Sequence, residues 1–253
     1  MFLMKITKYY SSNFDLNIRS NKKITLIIIH YTGMQSERES LKRLTSPKHK
    51  VSCHYFINRT GKVLRMVEDK HVAWHAGKSM WGKRKNLNQN SIGIELVNKG
   101  HRYGYQSYPK KQIKTLLKLC KLLKKKYKIS NKFILGHSDI SPLRKIDPGE
   151  KFPWAYLSKN GVGFYPSKEM LKKSRFTDGD KNIKFFFRNL NKIGYRYLGQ
   201  KFKKKIIKNF QRKYRQKKVN GVLDLETFKI SEILAKNPNI TWFFLSKLYM
   251  SIC

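Results

Sequence analysis

The sequence predicts an α/β fold, a β-sheet covered by helices, followed by a small all-α C-terminal domain. Three observations carry the prediction. Residues 24–29, Ile-Thr-Leu-Ile-Ile-Ile, are a nearly continuous β-branched run, the pattern of a strand buried on both faces. Residues 109–127 set Ile113, Leu116, Leu117, Cys120, Leu123 and Tyr127 at three-and-four spacing with lysines elsewhere, as in a helix laid on a sheet. Past residue 181 only helical stripes recur. Ile183, Phe186, Phe187, Leu190 and Ile193 form the first, and Ile206, Ile207, Phe210 and Tyr214 the second; a third helix, capped by Asp224, carries Leu225 and Phe228. Gly161, Gly163 and Pro166, with the polar stretch after them, divide the chain into a domain at 1–165, a linker at 166–180 and a helical domain at 181–253.

Residues before Lys23 are polar and aromatic without a period and read as an arm wrapping the domain. The strand at 24–29 then delivers His30, which either lines a site or is a hydrogen-bonded core histidine. Residues 36–44 suit a short helix. Residues 51–67 read as a hairpin with strands at 54–57 and 63–67 and turn chemistry in Asn58-Arg59-Thr60-Gly61; His54 is a wall residue or a structural one. Ala73-Trp74-His75-Ala76-Gly77 offers aromatic and imidazole groups for a carbohydrate or peptide cleft, or packing under a loop. The strand at 91–97 alternates, with Ile92, Ile94 and Leu96 on one face and Gly93, Glu95 and Val97 on the other. Glu95 is the anomaly, since a carboxylate in an apolar strand is costly to bury unless paired, protonated or used.

Pro109 suits the first turn of the long helix. The strand at 133–135 leads into Gly136 and a segment that Pro142 and Pro148 keep from regular helix; it reads as a loop, where chemistry often sits. A closing run, Trp242-Phe243-Phe244-Leu245, is too short to span a bilayer and is expected to pack on the helical domain.

At 253 residues and 40% hydrophobic content the chain is not a disordered one. Its 56 basic against 15 acidic residues give a formal charge of +41, which favours a polyanionic partner. Nucleic acid, an anionic membrane surface and an anionic cell-wall polymer all satisfy that. Cys53, Cys120 and Cys253 lack the spacing of a metal knuckle or redox motif and read as free thiols, suiting a reducing compartment. Residues 1–6 hold too short an apolar run for a secretory signal, and no apolar run reaches about 18 residues. A cytoplasmic location without a transmembrane helix is therefore expected.

His30, His137 and Asp147 come from separate segments and supply two imidazoles and a carboxylate, the three-ligand set that leaves a catalytic zinc one position for water. Zinc brings the pKa of that water to about 7; Glu95 would take its proton and pass it to a leaving amine, and Lys145 would face the developing oxyanion. These parts make an amide hydrolase. Pattern alone leaves the choice open, because seven histidines and many carboxylates allow other sets.

The ordered motifs Ile-Ile-His-Tyr-Thr at 28–32, Cys-His-Tyr-Phe-Ile at 53–57, Ala-Trp-His-Ala-Gly at 73–77, Ser-Ile-Gly-Ile-Glu-Leu at 91–96 and Gly-His-Ser-Asp-Ile at 136–140 resemble the zinc N-acetylmuramoyl-L-alanine amidases of the amidase-2 family. That family is similar to phage amidase-type lysozymes and peptidoglycan recognition proteins. The resemblance covers 24–155, and the Arg-Lys-x-Asp-Pro-Gly continuation at 144–149 is its most specific part. It implies a mixed central β-sheet flanked by helices, Zn2+ held by His30, His137 and Asp147, Glu95 as catalytic acid/base and Lys145 as transition-state stabiliser. Asp147 and Glu95 stand where some relatives carry cysteine and tyrosine, which implies kinship with the bacterial cell-wall recycling and turnover amidases.

The substrate implied is the amide joining the lactyl group of N-acetylmuramic acid to L-alanine, in peptidoglycan or anhydro-muropeptides, with Trp74, His75, Asn98 and His54 as cleft candidates. Residues 210–214 and 220–224 with Thr227 resemble a helical peptidoglycan-binding module, Asn220 replacing its usual aspartate. Such a module suits the periplasm or an outer membrane rather than the cytoplasm, and the basic surface would then meet an anionic cell envelope. Two other functions compete. A non-catalytic peptidoglycan recognition protein has the complete ligand set with Glu95 and Lys145 against it, and a nucleic-acid-binding protein has only the basic and aromatic interleaving at 202–215 in its favour.

Overall fold

The computed structural model describes residues 4–197 and 199–237. In chain order its elements are β1 (Ile6–Lys8), β2 (Phe14–Asp15), β3 (Leu26–Tyr31), α1 (Glu37–Thr45), β4 (Tyr55–Ile57), β5 (Val63–Arg65), β6 (Val72–Ala73), β7 (Met80–Trp81), β8 (Arg84–Lys85) and β9 (Ser91–Leu96). They continue with α2 (Lys110–Tyr127), β10 (Ile134–Gly136), α3 (His137–Ile140), α4 (Trp154–Lys159), α5 (Lys168–Lys172), α6 (Ile183–Ile193), α7 (Lys203–Tyr214) and α8 (Leu225–Lys236). The central sheet runs β1-β5-β4-β9-β3-β10. It is mixed: β4 and β5 are antiparallel, and every other neighbouring pair is parallel. The expected α/β class and mixed central sheet are what the chain adopts.

β3 explains how the layers are built. Its pleat sends Ile27 and Ile29 into one core, with Ile92 and Ile94 of β9 and Ile113, Leu116 and Cys120 of α2. Leu26 and Ile28 point the other way, into a core shared with Phe186 and Leu190 of α6, Phe210 of α7 and Phe228 of α8. The C-terminal helices therefore complete the second face of the sheet. Beside them on that face, Leu44 of α1 packs with Phe56, Leu64 and Val97. His30 and Glu95 emerge between these two coverings, paired across β3 and β9.

Helix starts follow their polar residues. Ser36 Oγ accepts from Glu39 N (3.1 Å) at α1, and Asp224 Oδ1 accepts from Thr227 N (2.9 Å) at α8. Pro109 is the residue just outside α2 rather than part of its first turn. The leading arm is more ordered than its pattern suggests, because β1 adds an edge strand parallel to β5. The segment after Gly136 is also not a plain loop: residues 137–140 make one helical turn, closed where Gly136 N–H donates to Asp139 Oδ2 at 2.8 Å. The stretch 166–180 contains α5. Cys53 and Cys120 are buried free thiols; Cys253 and the aromatic run at 242–245 lie outside the described residues. Among the described residues no helix is long and apolar enough to cross a membrane.

Candidate functional site

The parallel pairing of β10 with β3 sets Gly136 opposite Ile29, so His137 and His30 leave adjacent strands at the same end. Ser138 N–H donates to the carbonyl of Asp147 at 2.9 Å and folds the following loop back onto them. His30 Nδ1 and His137 Nδ1 lie 2.9 Å apart, and Asp147 Oδ2 lies 3.2 Å from each. All three side chains are buried.

Hydrogen bonds behind these atoms decide where the protons are. Ser91 Oγ donates to Leu87 O at 2.5 Å, so toward His75 Nε2, 3.2 Å away, it is an acceptor. His75 Nδ1 is then free to accept from His30 Nε2–H at 3.0 Å, leaving His30 Nδ1 as a bare lone pair. His137 reaches the same state because its Nε2–H donates to Ala76 O at 3.1 Å. Two imidazole lone pairs and a carboxylate oxygen thus face one another with no proton between them. A cation removes that repulsion, and the group can hold a metal ion.

His75 can stand behind His30 only because β9 carries Gly93, where a Cβ would lie 2.4 Å from His75 Cγ. We expect His75→Ala to weaken metal binding about 10- to 100-fold, read by competition with a chromogenic chelator. Unchanged affinity would remove the Ser91–His75–His30 chain from the account.

Burial, reinforced by His137, pulls His30 down to about 4, and burial with Arg19 pulls His54 down to about 3. Burial opposes ionisation of Asp147, yet His137 and then His30, when they carry a proton, hold it well below the usual carboxylate range. Glu95 moves the other way: burial and then Asp147 push it up to about 8, with Lys145 opposing. Its Oε2 is shielded from solvent and has no hydrogen-bond partner.

These shifts have a stability consequence. A histidine whose pKa is lowered by folding takes up its proton first in the unfolded chain, so acid favours unfolding. Metal-free protein should lose about 1.4 kcal/mol per pH unit for each of His30 and His54 as pH falls from about 6.5 toward their folded values, with Glu95, which folding raises to about 8, offsetting one of them down to about 4.5. Urea unfolding at stepped pH checks this, and stability flat across that window would contradict it.

A cavity of about 320 Å³ opens over the three-residue group. Glu95, Lys145, Trp74 and His75 line it with the three. Two cleft candidates are elsewhere. Asn98 is buried, with its Nδ2 donating to Gln106 O at 2.7 Å and its Oδ1 accepting from Gly100 N at 3.1 Å, so it closes the 98–106 loop. His54 sits behind β9, accepting from Gly93 N at 3.0 Å and lying 2.8 Å from the Arg19 guanidinium. Arg43 of α1 and Arg144 also line the cavity and were not anticipated. Arg144 sits inside the Arg-Lys-x-Asp-Pro-Gly motif and could have been found there; Arg43 has no such signal.

The sequence profile of the N-acetylmuramoyl-L-alanine amidases matches residues 20–150. Over 230 residues the chain is 31% identical to the N-acetylmuramoyl-L-alanine amidase AmiD of Escherichia coli, spanning 84% of this chain and 82% of that one. A solved complex of E. coli AmiD with the substrate anhydro-N-acetylmuramic acid-L-Ala-D-gamma-Glu-L-Lys superposes with a TM-score of 0.78 at 30% identity, covering 86% of this chain and 91% of that one. AmpDh3 from Pseudomonas aeruginosa, solved in complex with anhydromuramic pentapeptide, gives a TM-score of 0.77 at 29% identity over 83% of this chain and 91% of its own.

Proposed function

The chain belongs to the N-acetylmuramoyl-L-alanine amidase family, and from that premise we propose that it is a zinc amidase cutting the bond between the N-acetylmuramic acid lactyl group and L-alanine in peptidoglycan or anhydro-muropeptides, in cell-wall turnover. The carrying observation is the convergence of His30 Nδ1, His137 Nδ1 and Asp147 Oδ2 within 2.9 to 3.2 Å, in the cavity that Glu95 and Lys145 also line. Tetrahedral zinc at its usual bond lengths sets its ligands about 3.3 Å apart, so the donor set and its spacing both fit. Zinc, when bound, supplies Lewis acidity and makes a water nucleophile available near neutral pH.

The chain's own residues do the rest. Glu95 is held across from His30 with one carboxylate oxygen unpartnered, so it is free to take the proton of the attacking water and return it to the L-alanine amine. Lys145, at the cavity wall, places a positive charge where the carbonyl oxygen becomes negative. Arg43 and Arg144 add cations at the same cavity, which suits a stem peptide carrying free carboxylates. On α2, Lys111, Lys114, Lys118, Lys121 and Lys125 are exposed and the helix carries no acidic residue, which suits an anionic cell-envelope surface. In this reading residues 1–165 are the catalytic domain, and the helices of 181–253 carry the resemblance to a wall-binding module.

The test is metal content and turnover measured together. Purified protein should hold about one zinc per chain, release L-alanyl peptides from muropeptides, stop on chelation and resume when zinc is returned. Zinc binding with no cleavage of polymer or anhydro substrate would instead support a recognition protein.

A further inference from the structure

The loop that carries Lys145 and Asp147 is held from far along the chain. Asn209, Arg212 and Lys213 stand at i, i+3 and i+4 on α7 and share one face, which meets this loop and α3. Asn209 is buried, and its Nδ2 donates both to Pro142 O at 2.5 Å and to Lys145 O at 2.9 Å. Arg212 Nη1 donates to Asn209 Oδ1 at 2.7 Å, which fixes the amide with its N–H groups toward the loop. Lys213 Nζ lies 2.6 Å from Asp139 Oδ2 in α3, and just past the helix Gln216 Nε2 donates to Phe152 O at 2.7 Å.

We propose that Asn209 is a positioning residue for Lys145, so that α7 is part of the scaffold that sets turnover. Two successive bonds from one amide tie the carbonyls at both ends of the 142–145 turn, and the second belongs to Lys145 itself. Asp147 has its own tether, the bond from Ser138 N–H to its carbonyl. Loss of Asn209 therefore loosens Lys145 while leaving the metal ligands gathered. A misplacement of about 1 Å in a catalytic group can cost about 100-fold in rate. The inference rests on the reading that Lys145 faces the developing oxyanion.

The experiment is a double-mutant cycle in the full chain with zinc loaded, using Asn209→Ala, Asn209→Asp and Lys145→Ala. Asn209→Asp keeps the shape and removes the donor, which covers an alanine variant that fails to fold. Either Asn209 change should lower kcat about 10- to 100-fold at nearly constant KM and unchanged zinc content, and amide exchange at 143–146 should speed up. In the Lys145→Ala background the same change should cost less than about twofold. A full loss in that background would overturn the proposal, as would normal kcat in Asn209→Asp. Unchanged kcat in Lys145→Ala alone would refute the role of Lys145 itself, a separate failure that takes this inference with it.

Discussion

A Glu95→Gln enzyme is expected to keep its zinc and lose about 100- to 10,000-fold in kcat, with KM little changed. Glutamine fills the same space on β9 and still pairs across from His30, so the sheet and the ligands behind it have no reason to move. What disappears is a group able to accept a proton and give it back. The unsubstituted carboxylate is suited to that task because burial and Asp147 disfavour its charge, raising its basicity, and because its Oε2 has no partner in the protein. Zinc content by elemental analysis and turnover on an anhydro-muropeptide give the two readouts. Normal kcat would take Glu95 out of proton transfer, whereas loss of zinc would mean that it supports the ligands instead.

Lys213→Met should cost about 3–5 kcal/mol of stability, a fall of about 10 °C in Tm for a chain of this size. The ammonium of Lys213 and the carboxylate of Asp139 are both buried and lie 2.6 Å apart. Among the described residues, removing the cation leaves the carboxylate in the interior with Tyr195 OH at 2.6 Å and Gly136 N at 2.8 Å donating to it. Two neutral donors do not replace a buried counter-charge. Asp139→Asn in the same chain should restore part of the loss, because its amide oxygen can still accept from Gly136 N, its Nδ2 then faces the Tyr195 hydroxyl, which can turn to accept, and no charge is left to desolvate. Thermal unfolding of the single and double variants decides the matter: a single-variant Tm within about 2 °C of the parent would show that the pair contributes little.

The parts of this molecule that the sequence made legible are those whose pattern is local. The β-branched run at 24–29 has the pattern of a strand covered on both sides, and Glu95 stood out because its neighbours on β9 are apolar. His30, His137 and Asp147 were within reach because each follows a recognisable strand or motif. What escaped depends on contacts between distant positions. Asp139 and Lys213 are separated by 74 residues, and nothing around either announces the other. On α7 the apolar stripe of Ile206, Phe210 and Tyr214 was plain, while no pattern marked Asn209 or Lys213. Asn98 was a cleft candidate through the family resemblance, but its amide is spent on the turn that follows. β1 has three residues with an exposed–intermediate–exposed pattern, too short and too wet to reveal a strand. The turn at 137–140 was hidden by the prolines after it, since four residues offer no periodicity to read.

The sharing of one sheet face with α6, α7 and α8 bears on how the protein is made. A nascent chain can form β3 and β9 and cover one side with α2 early, but Leu26, Ile28 and Leu135 lack the cover of Phe186, Leu190, Phe210 and Phe228 until α6, α7 and α8 have been synthesised. At usual elongation rates the interval between His137 and Lys213 is some seconds to about 15 s. Throughout it the catalytic loop lacks its restraints from α7, and an apolar surface waits on the ribosome for its cover. The order of synthesis thus puts the tethering of Lys145 well after the sheet that carries His30 and Glu95 has been made.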